Sequence, residues 1–241
     1  MNEKSLLALM YDFYNSHTLK GQNDDINYYI NQIKLYGSKD TLIIGAGTGR
    51  VAIPLSKYTN ITALDFDKER LARLKNKAKN INTICIDFLD YNKSKKYDLI
   101  IIPYSTLQFD NDKKKLTQFF QKLYNVMNKN AVAIFDVSES FNTKIEKNNE
   151  FLFKDYCSEI NDEVEVFYSS KRFKDYIEFN VEYKICDKNN SVIECEKYYY
   201  YDKNLLFDVI KNNNLDILKI DDGYGKDNFK HKHLYHCRRQ M

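Results

Sequence analysis

The chain has 241 residues, 43% hydrophobic and 29% charged, a composition that belongs to a globular fold and excludes a disordered or collagen-like chain. Its 37 basic and 34 acidic residues leave a formal net charge of +3, which by itself is no polyanion-binding signature. It contains 7 Gly, 2 Pro, 5 Cys and no Trp, against 20 Tyr and 15 Phe, and three of the glycines, Gly45, Gly47 and Gly49, stand within five residues.

The remaining bias, towards Lys, Asn, Ile and Tyr, follows AT-rich codons. The lysine clusters at 93–96, 113–115 and 226–239 therefore read as solvated faces. Cysteines 85, 157, 186, 195 and 237 are odd in number and form no C-x-x-C pair, which points to a reduced protein with neither a disulfide framework nor a zinc site. The opening apolar stretch is too short for a signal peptide, and no run approaches the roughly 18 apolar residues of a membrane span. A cytoplasmic protein with no membrane partner is expected.

In chain order, a helical segment over residues 1–40 precedes an alternating pattern. Strands are predicted at 41–44, 61–64, 83–86, 97–102 and 131–137, with helices at 49–58, 68–79 and 113–127. Strands separated by helix-length segments imply right-handed crossovers and an open, doubly wound α/β sheet. The period then changes. Ile177, Phe179, Val181, Tyr183 and Ile185 alternate with polar residues over 176–186, as in a half-exposed antiparallel strand, with neighbours at 164–168 and 192–200. The second neighbour is reached through a turn at 187–190, and a helix at 203–212 and strands at 215–220 and 233–237 close the chain. With no linker or repeat, the expectation is one domain over 1–241: an N-terminal helical lid (1–40), a cofactor-binding core (41–138), an antiparallel insertion (159–202) and a closing helix and strands (203–241).

The chemistry lies where Thr41-Leu42-Ile43-Ile44 runs into Gly45-Ala46-Gly47-Thr48-Gly49-Arg50. Glycines belong in such a turn because a ligand lies directly against the backbone, at a helix N-terminus whose amides meet electronegative atoms. A dinucleotide fingerprint needs Gly where Arg50 stands, and a P-loop needs G-K-[ST], which is absent. The G-x-G-x-G turn of class I S-adenosylmethionine-dependent methyltransferases matches without adjustment. Asp65, after the second strand, suits the two ribose hydroxyls of an adenosyl group, and Asp87-Phe88, after the third, suits its adenine. Pro103-Tyr104 closes the fourth strand.

On these motifs, confined to residues 41–104, the chain resembles the class I methyltransferases, and among them the small-molecule group that includes amino-sugar N-methyltransferases. The shared layout includes an N-terminal Tyr11-Asp12 helix, the G-x-G-T-G-R turn, an aromatic after the proline of strand four, and antiparallel strands inserted after strand five. The resemblance implies a Rossmann-like sheet, S-adenosylmethionine as cofactor, and transfer of a methyl group to N or O of a small-molecule acceptor. It implies cofactor contacts from Gly45, Ala46, Gly47, Asp65, Phe66, Asp87, Phe88, Pro103 and Tyr11, and an insertion that covers the acceptor or builds a homodimer contact.

Two positions depart from the pattern. Relatives carry an acid two residues before the first glycine, where this chain has Ile43, and Tyr11, Tyr14 and Lys20 are candidates to meet the charged ends of the methionine moiety instead. Some relatives carry a His base where this chain has Phe109, so no catalytic residue is assigned. Tyr104, Ser105 and Gln108 are candidates to line the acceptor, against the alternative that Tyr104 packs on the adenosyl group and Gln108 faces solvent. His17 is a candidate acceptor-site base or an exposed loop histidine. His231 and His233 share one strand face and His236 the other, so no metal site is expected. The run Tyr198 to Tyr201 is either strand propensity or a stacking surface.

Two other functions stay open. A nucleic-acid methyltransferase of the amino-directed kind carries Asp/Asn-Pro-Pro-Tyr/Phe where this chain has Ile101-Ile102-Pro103-Tyr104, and no basic domain is present, so nucleic acid is not the expected partner. A catalytically silent S-adenosylmethionine-binding module is motivated by Ile43 and Phe109.

Overall fold

A computed structural model describes residues 1–110, 112–139, 146–187, 190–225 and 231–240. Lys188 and Asn189 of the expected turn and residues 226–230 of the C-terminal basic cluster lie outside the described residues. The chain divides into two compact units, one made of Met1–Gly21 and Phe141–Tyr200 and the other of Gln22–Ser140 and Tyr201–Met241.

The larger unit is a seven-stranded sheet. Its strands are β1 (Asp40–Ile44), β2 (Asn60–Asp65), β3 (Asn82–Cys85), β4 (Tyr97–Ile102), β5 (Met127–Ser138), β10 (Leu215–Asp222) and β11 (Lys232–Arg239), in the order β10-β11-β5-β4-β1-β2-β3. β5, β4, β1, β2 and β3 are parallel, and β11 and β10 join antiparallel. Parallel strands covered on both faces read as continuous apolar runs. Leu42 and Ile44 accordingly face one buried cluster and Ile43 the other. The first cluster holds residues of α5 (Lys113–Val126) and α6 (Lys203–Asn212); the second holds residues of α2 (Asp24–Tyr36), α3 (Ala52–Leu55) and α4 (Lys68–Lys77). The strand order reverses between β1 and β4, and such a switch point opens a crevice at the strands' C-terminal ends. The expected α/β Rossmann-like sheet is borne out.

Helices α4, α5 and α6 start where an aspartate accepts first-turn amides: Asp67 from Glu69 and Arg70, Asp112 from Lys114 and Lys115, Asp202 from Asn204. The helix expected at 49–58 shrinks to α3, because Pro54 has no amide to return to the Arg50 carbonyl.

The smaller unit is an antiparallel sheet in the order β6-β7-β8-β9, formed by β6 (Lys147–Cys157), β7 (Asp162–Arg172), β8 (Tyr176–Ile185) and β9 (Asn190–Tyr199). Leu6, Leu9, Met10 and Phe13 recur at helical spacing on α1 (Glu3–Thr18) and share a buried cluster with Val164, Val166, Tyr183, Ile185 and Val192. β6 was not expected from the pattern. It is an edge strand exposed at nearly every position, so burial imposes no two-residue period on it. Among the described residues no helix is long and apolar enough to cross a membrane.

A buried polar network ties α2 to β10 and β11. The Tyr28 hydroxyl lies 2.6 Å from both Asp221 Oδ2 and His236 Nε2, and the Tyr36 hydroxyl 3.0 Å from His236 Nδ1. Tyr28 donates to Asp221 and accepts Nε2–H, which leaves Nδ1 to accept from Tyr36, so a neutral imidazole satisfies every member. Burial, then the charge of Lys219, pushes the His236 pKa from 6.5 down to about 4, against the opposing pull of Asp221. Because the folded-state value is depressed, the unfolded chain takes up the proton first, and stability falls as pH drops below the unfolded value towards the folded one. Between pH 7 and 4.5 this contributes a loss of about 2–3 kcal/mol. Denaturant titrations should therefore show a shallower fall for His236→Phe than for the parent over that range; equal slopes would contradict the assignment.

Candidate functional site

Gly45 and Gly47 end β1 with positive φ, +73° and +53°. Their freedom is used twice: the Gly45 and Ala46 amides both reach the Leu64 carbonyl of β2, at 2.9 and 3.0 Å, and the Gly47 amide donates to Asp65 Oδ2 at 2.7 Å. Asp67 N donates to the other oxygen, Oδ1, at 2.9 Å. Asp65 is 7% exposed. Burial raises its carboxyl above the usual range, and the two amide bonds and Arg70 draw it back. Each carboxylate oxygen has further lone-pair capacity, which suits a pair of vicinal hydroxyls.

Phe66 follows, 76% exposed and so not part of the core. Asp87 is exposed and its Oδ1 accepts the Leu89 amide at 2.8 Å. Phe88, expected against the adenine, is instead 4% exposed, with its ring centroid 4.9 Å from Phe119, so its aromatic surface serves the core and Phe66 is the ring left available. Lone-pair capacity on Asp65 and an exposed aromatic beside it together fit an adenosyl group. Ile43 is fully buried among apolar side chains, so no acid stands at that position.

At the end of β4 the chain turns sharply. Pro103 is buried, and Tyr104 and Ser105 both take left-handed conformations, φ +61° and +53°. Such non-glycine residues cost on the order of 1–3 kcal/mol each unless their surroundings hold them. Ser105 N and Oγ donate to Asp136 Oδ2 on β5 at 3.0 and 3.2 Å, and Lys232 Nζ of β11 reaches the same oxygen at 3.2 Å. Gln108 does not face solvent: it is 1% exposed, accepts the Ser138 amide through Oε1 at 2.7 Å and donates Nε2 to the Ser138 carbonyl at 3.4 Å. Its amide is thus bonded to β5. The Arg50 guanidinium lies 4.4 Å from the Tyr104 ring centroid and the Lys232 ammonium 4.9 Å from it. Arg50 is paired with Asp25, at the start of α2, through both nitrogens of its fork.

Asp25, Asp136 and Lys232 were not among the sequence candidates. A signal existed for one of them: Asp136 interrupts the apolar run of β5 and yet is fully buried. Asp25 and Lys232 sit in charge-rich segments and carry none.

In the smaller unit, His17 lies in the last turn of α1, not in a loop. Its ring stacks on Phe153 at 4.3 Å, with Nδ1 2.8 Å from the Phe13 carbonyl and Nε2 2.8 Å from Asp155, so oxygens of this unit engage both nitrogens. Tyr11 and Tyr14 are half-buried on the same helix and Lys20 follows it, exposed. In the larger unit, His233 pairs with Asp222 and Glu139 while His236 faces Tyr28 and Tyr36.

Residues 42–130 match the family described as a methyltransferase domain. A protein of Geobacillus sp. (strain WCH70), provisionally named a methyltransferase, is 24% identical over 140 residues, and the match covers 56% of this chain and 54% of that protein. The chain therefore spans about half the length of that relative. Among solved structures, an S-adenosylmethionine-dependent methyltransferase from Clostridium acetobutylicum ATCC 824 superposes with a TM-score of 0.81 at 18% identity, covering 96% of this chain and 98% of the other. The sugar N-methyltransferase KedS8 from Streptoalloteichus sp ATCC 53650 superposes at 0.78 with 13% identity, covering 96% and 93%. CalS10, an amino pentose methyltransferase from Micromonospora echinaspora solved with S-adenosylmethionine bound, superposes at 0.74 with 11% identity, covering 96% and 97%. Over residues 42–130 the chain is thus similar to a methyltransferase domain, and its fold is that of these solved methyltransferases.

Gly45 carries the steric constraint that joins the turn after β1 to the turn after β4. A Cβ there would lie 2.6 Å from Thr106 Cγ2 and 2.7 Å from Oγ1. Gly45→Ala should lower stability by about 2–4 kcal/mol, from the clash and the left-handed φ together. Adding Thr106→Ala should recover the steric share, as read from urea midpoints; strictly additive losses would show that the two turns do not meet.

Proposed function

We propose that this protein is an S-adenosylmethionine-dependent methyltransferase acting on N or O of a small-molecule acceptor. The observation that carries it is the glycine turn of β1 bonded through the Gly47 amide to the Asp65 carboxylate, with Phe66 exposed beside it. Gly45, Ala46 and Gly47 let the cofactor approach the backbone, Asp65 accepts its ribose hydroxyls, and Phe66 offers a face to the adenine, with Asp87 at its rim. Pro103 and Tyr104 bound the end where the methyl group sits. When bound, the cofactor supplies a methyl group already activated by a sulfonium. What remains for the protein is alignment and exclusion of water, and orientation of this kind is worth on the order of 7–11 kcal/mol. A dedicated base is needed only for an acceptor that arrives protonated.

KedS8 and CalS10 are by name methyltransferases of a sugar and an amino pentose, and likeness to them over 96% of this chain supports a small acceptor. Ile102 before Pro103, in place of a polar residue, argues against a base amino group as acceptor. The proposal includes the cytoplasmic setting and homodimer expected from the sequence, and sedimentation of the purified chain decides the latter.

The test is calorimetric titration with S-adenosylhomocysteine, followed by labelled S-adenosylmethionine offered to separated metabolite, RNA and protein fractions. Label should enter the metabolite fraction. Asp65→Ala should weaken nucleoside binding by about 10- to 100-fold, the value of hydrogen bonds to a charged acceptor. No binding by the parent chain sinks the proposal, label confined to RNA replaces the acceptor class, and binding without any product leaves a silent module.

A further inference from the structure

We propose that Asp136 is a positioning residue, which together with Lys232 holds the left-handed Tyr104–Ser105 turn and so fixes the Tyr104 ring at the acceptor end of the site. That Tyr104 faces the acceptor rests on the function proposed above; the holding of the turn does not.

A fully buried carboxylate inside a sheet is costly unless donors surround it. Asp136 concentrates three donors on one oxygen: the Ser105 amide at 3.0 Å, the Ser105 hydroxyl at 3.2 Å and the Lys232 ammonium at 3.2 Å. Two of the three belong to a residue with φ +53°, next to one with φ +61°. Neither conformation is intrinsically favoured, so both depend on an outside anchor. The rest of the turn is tied separately, through Gln108 to Ser138 and through the Thr106 hydroxyl to the Pro103 carbonyl at 2.5 Å. The Asp136 contacts therefore act where the backbone is strained.

The arrangement also sets what surrounds the ring. Lys232, 15% exposed in its side chain, touches both Asp136 and the face of Tyr104, while Arg50, paired with Asp25, lies over the same ring. Each cation near the phenol thus has its own buried or nearly buried carboxylate. The second Asp136 oxygen, Oδ1, is buried without a hydrogen-bond partner among the described residues. Burial first, and then the charge of Asp136, pushes the Tyr29 and Tyr224 hydroxyls well above their usual range, so both remain neutral phenols beside it. Nothing in this set resembles plain core packing, which an apolar residue at position 136 would satisfy at less cost.

The chain has no Trp, so Tyr104→Trp installs a single fluorescent reporter on the turn. Time-resolved anisotropy of the full chain should show an indole without fast local motion. Asp136→Asn in that background should introduce a fast component, and Ser105→Ala, which removes only the hydroxyl donor, a smaller one. Should Asp136→Asn lose cooperative unfolding, Lys232→Gln replaces it and must free the indole in the same way. A mobile indole in the reporter alone, or equal mobility with and without the substitutions, overturns the assignment, and lowered thermal stability with an unchanged indole reduces Asp136 to a fold residue. S-adenosylhomocysteine titration of the reporter, whose binding should survive Asp136→Asn, separates this outcome from failure of the proposed function. With a labelled fraction in hand, Asp136→Asn should lower kcat roughly 10- to 100-fold with KM for the cofactor little changed, as misplacement of a site group does.

Discussion

The bond between the Gly47 amide and Asp65 is the constraint on which the β1 end of the candidate site depends. β1 and β2 are parallel neighbours in register from Asp40 against Asn60 to Ile44 against Leu64, so their C-terminal ends arrive side by side. Only a backbone able to take positive φ can then fold back and place two amides on one β2 carbonyl and a third on the next residue's carboxylate. Asp65 is neither a helix cap nor a free acid. It is a buried group that shapes the turn while retaining acceptor capacity, and its raised carboxyl reflects burial only partly offset by those amides.

A second carboxylate does for β4 what Asp65 does for β1. Asp136 collects the amide and hydroxyl of Ser105 across the parallel β4/β5 pair, where Ile102 stands opposite Phe135. The two turns meet at the Gly45 and Thr106 contact, where no room for a Cβ remains. Both edges of the switch point thus carry a buried acid that accepts a backbone amide from a positive-φ residue. Under the function proposed above, alignment by these two turns is what a fold with no assigned base would contribute.

Much of the fold was legible because burial writes a period into the chain. The run from Tyr97 to Ile102 is covered on both faces and reads as a strand end to end, and the helix at 203–212 announces itself by its apolar spacing after Asp202. Where burial is one-sided or missing the signal fails, as in β6, and where a proline interrupts a helical pattern the spacing overstates the helix, as in α3. Asp65 and Gly47 were legible through their places at strand ends. That Phe88 and Gln108 are buried was not legible, because adjacency to a motif says nothing about which way a side chain turns.

By itself the sequence determined the parallel sheet, the glycine turn and the acids that follow its strands, since each rests on local spacing and on the reach of one or two residues. Only the tertiary structure decided which aromatic is exposed and which is core, and only it assembled Asp25, Arg50, Asp136 and Lys232 around Tyr104. Those residues come from α2, the glycine turn, β5 and β11, whose adjacency follows from strand order, and strand order is set by how whole faces are buried, a property no short stretch of sequence carries.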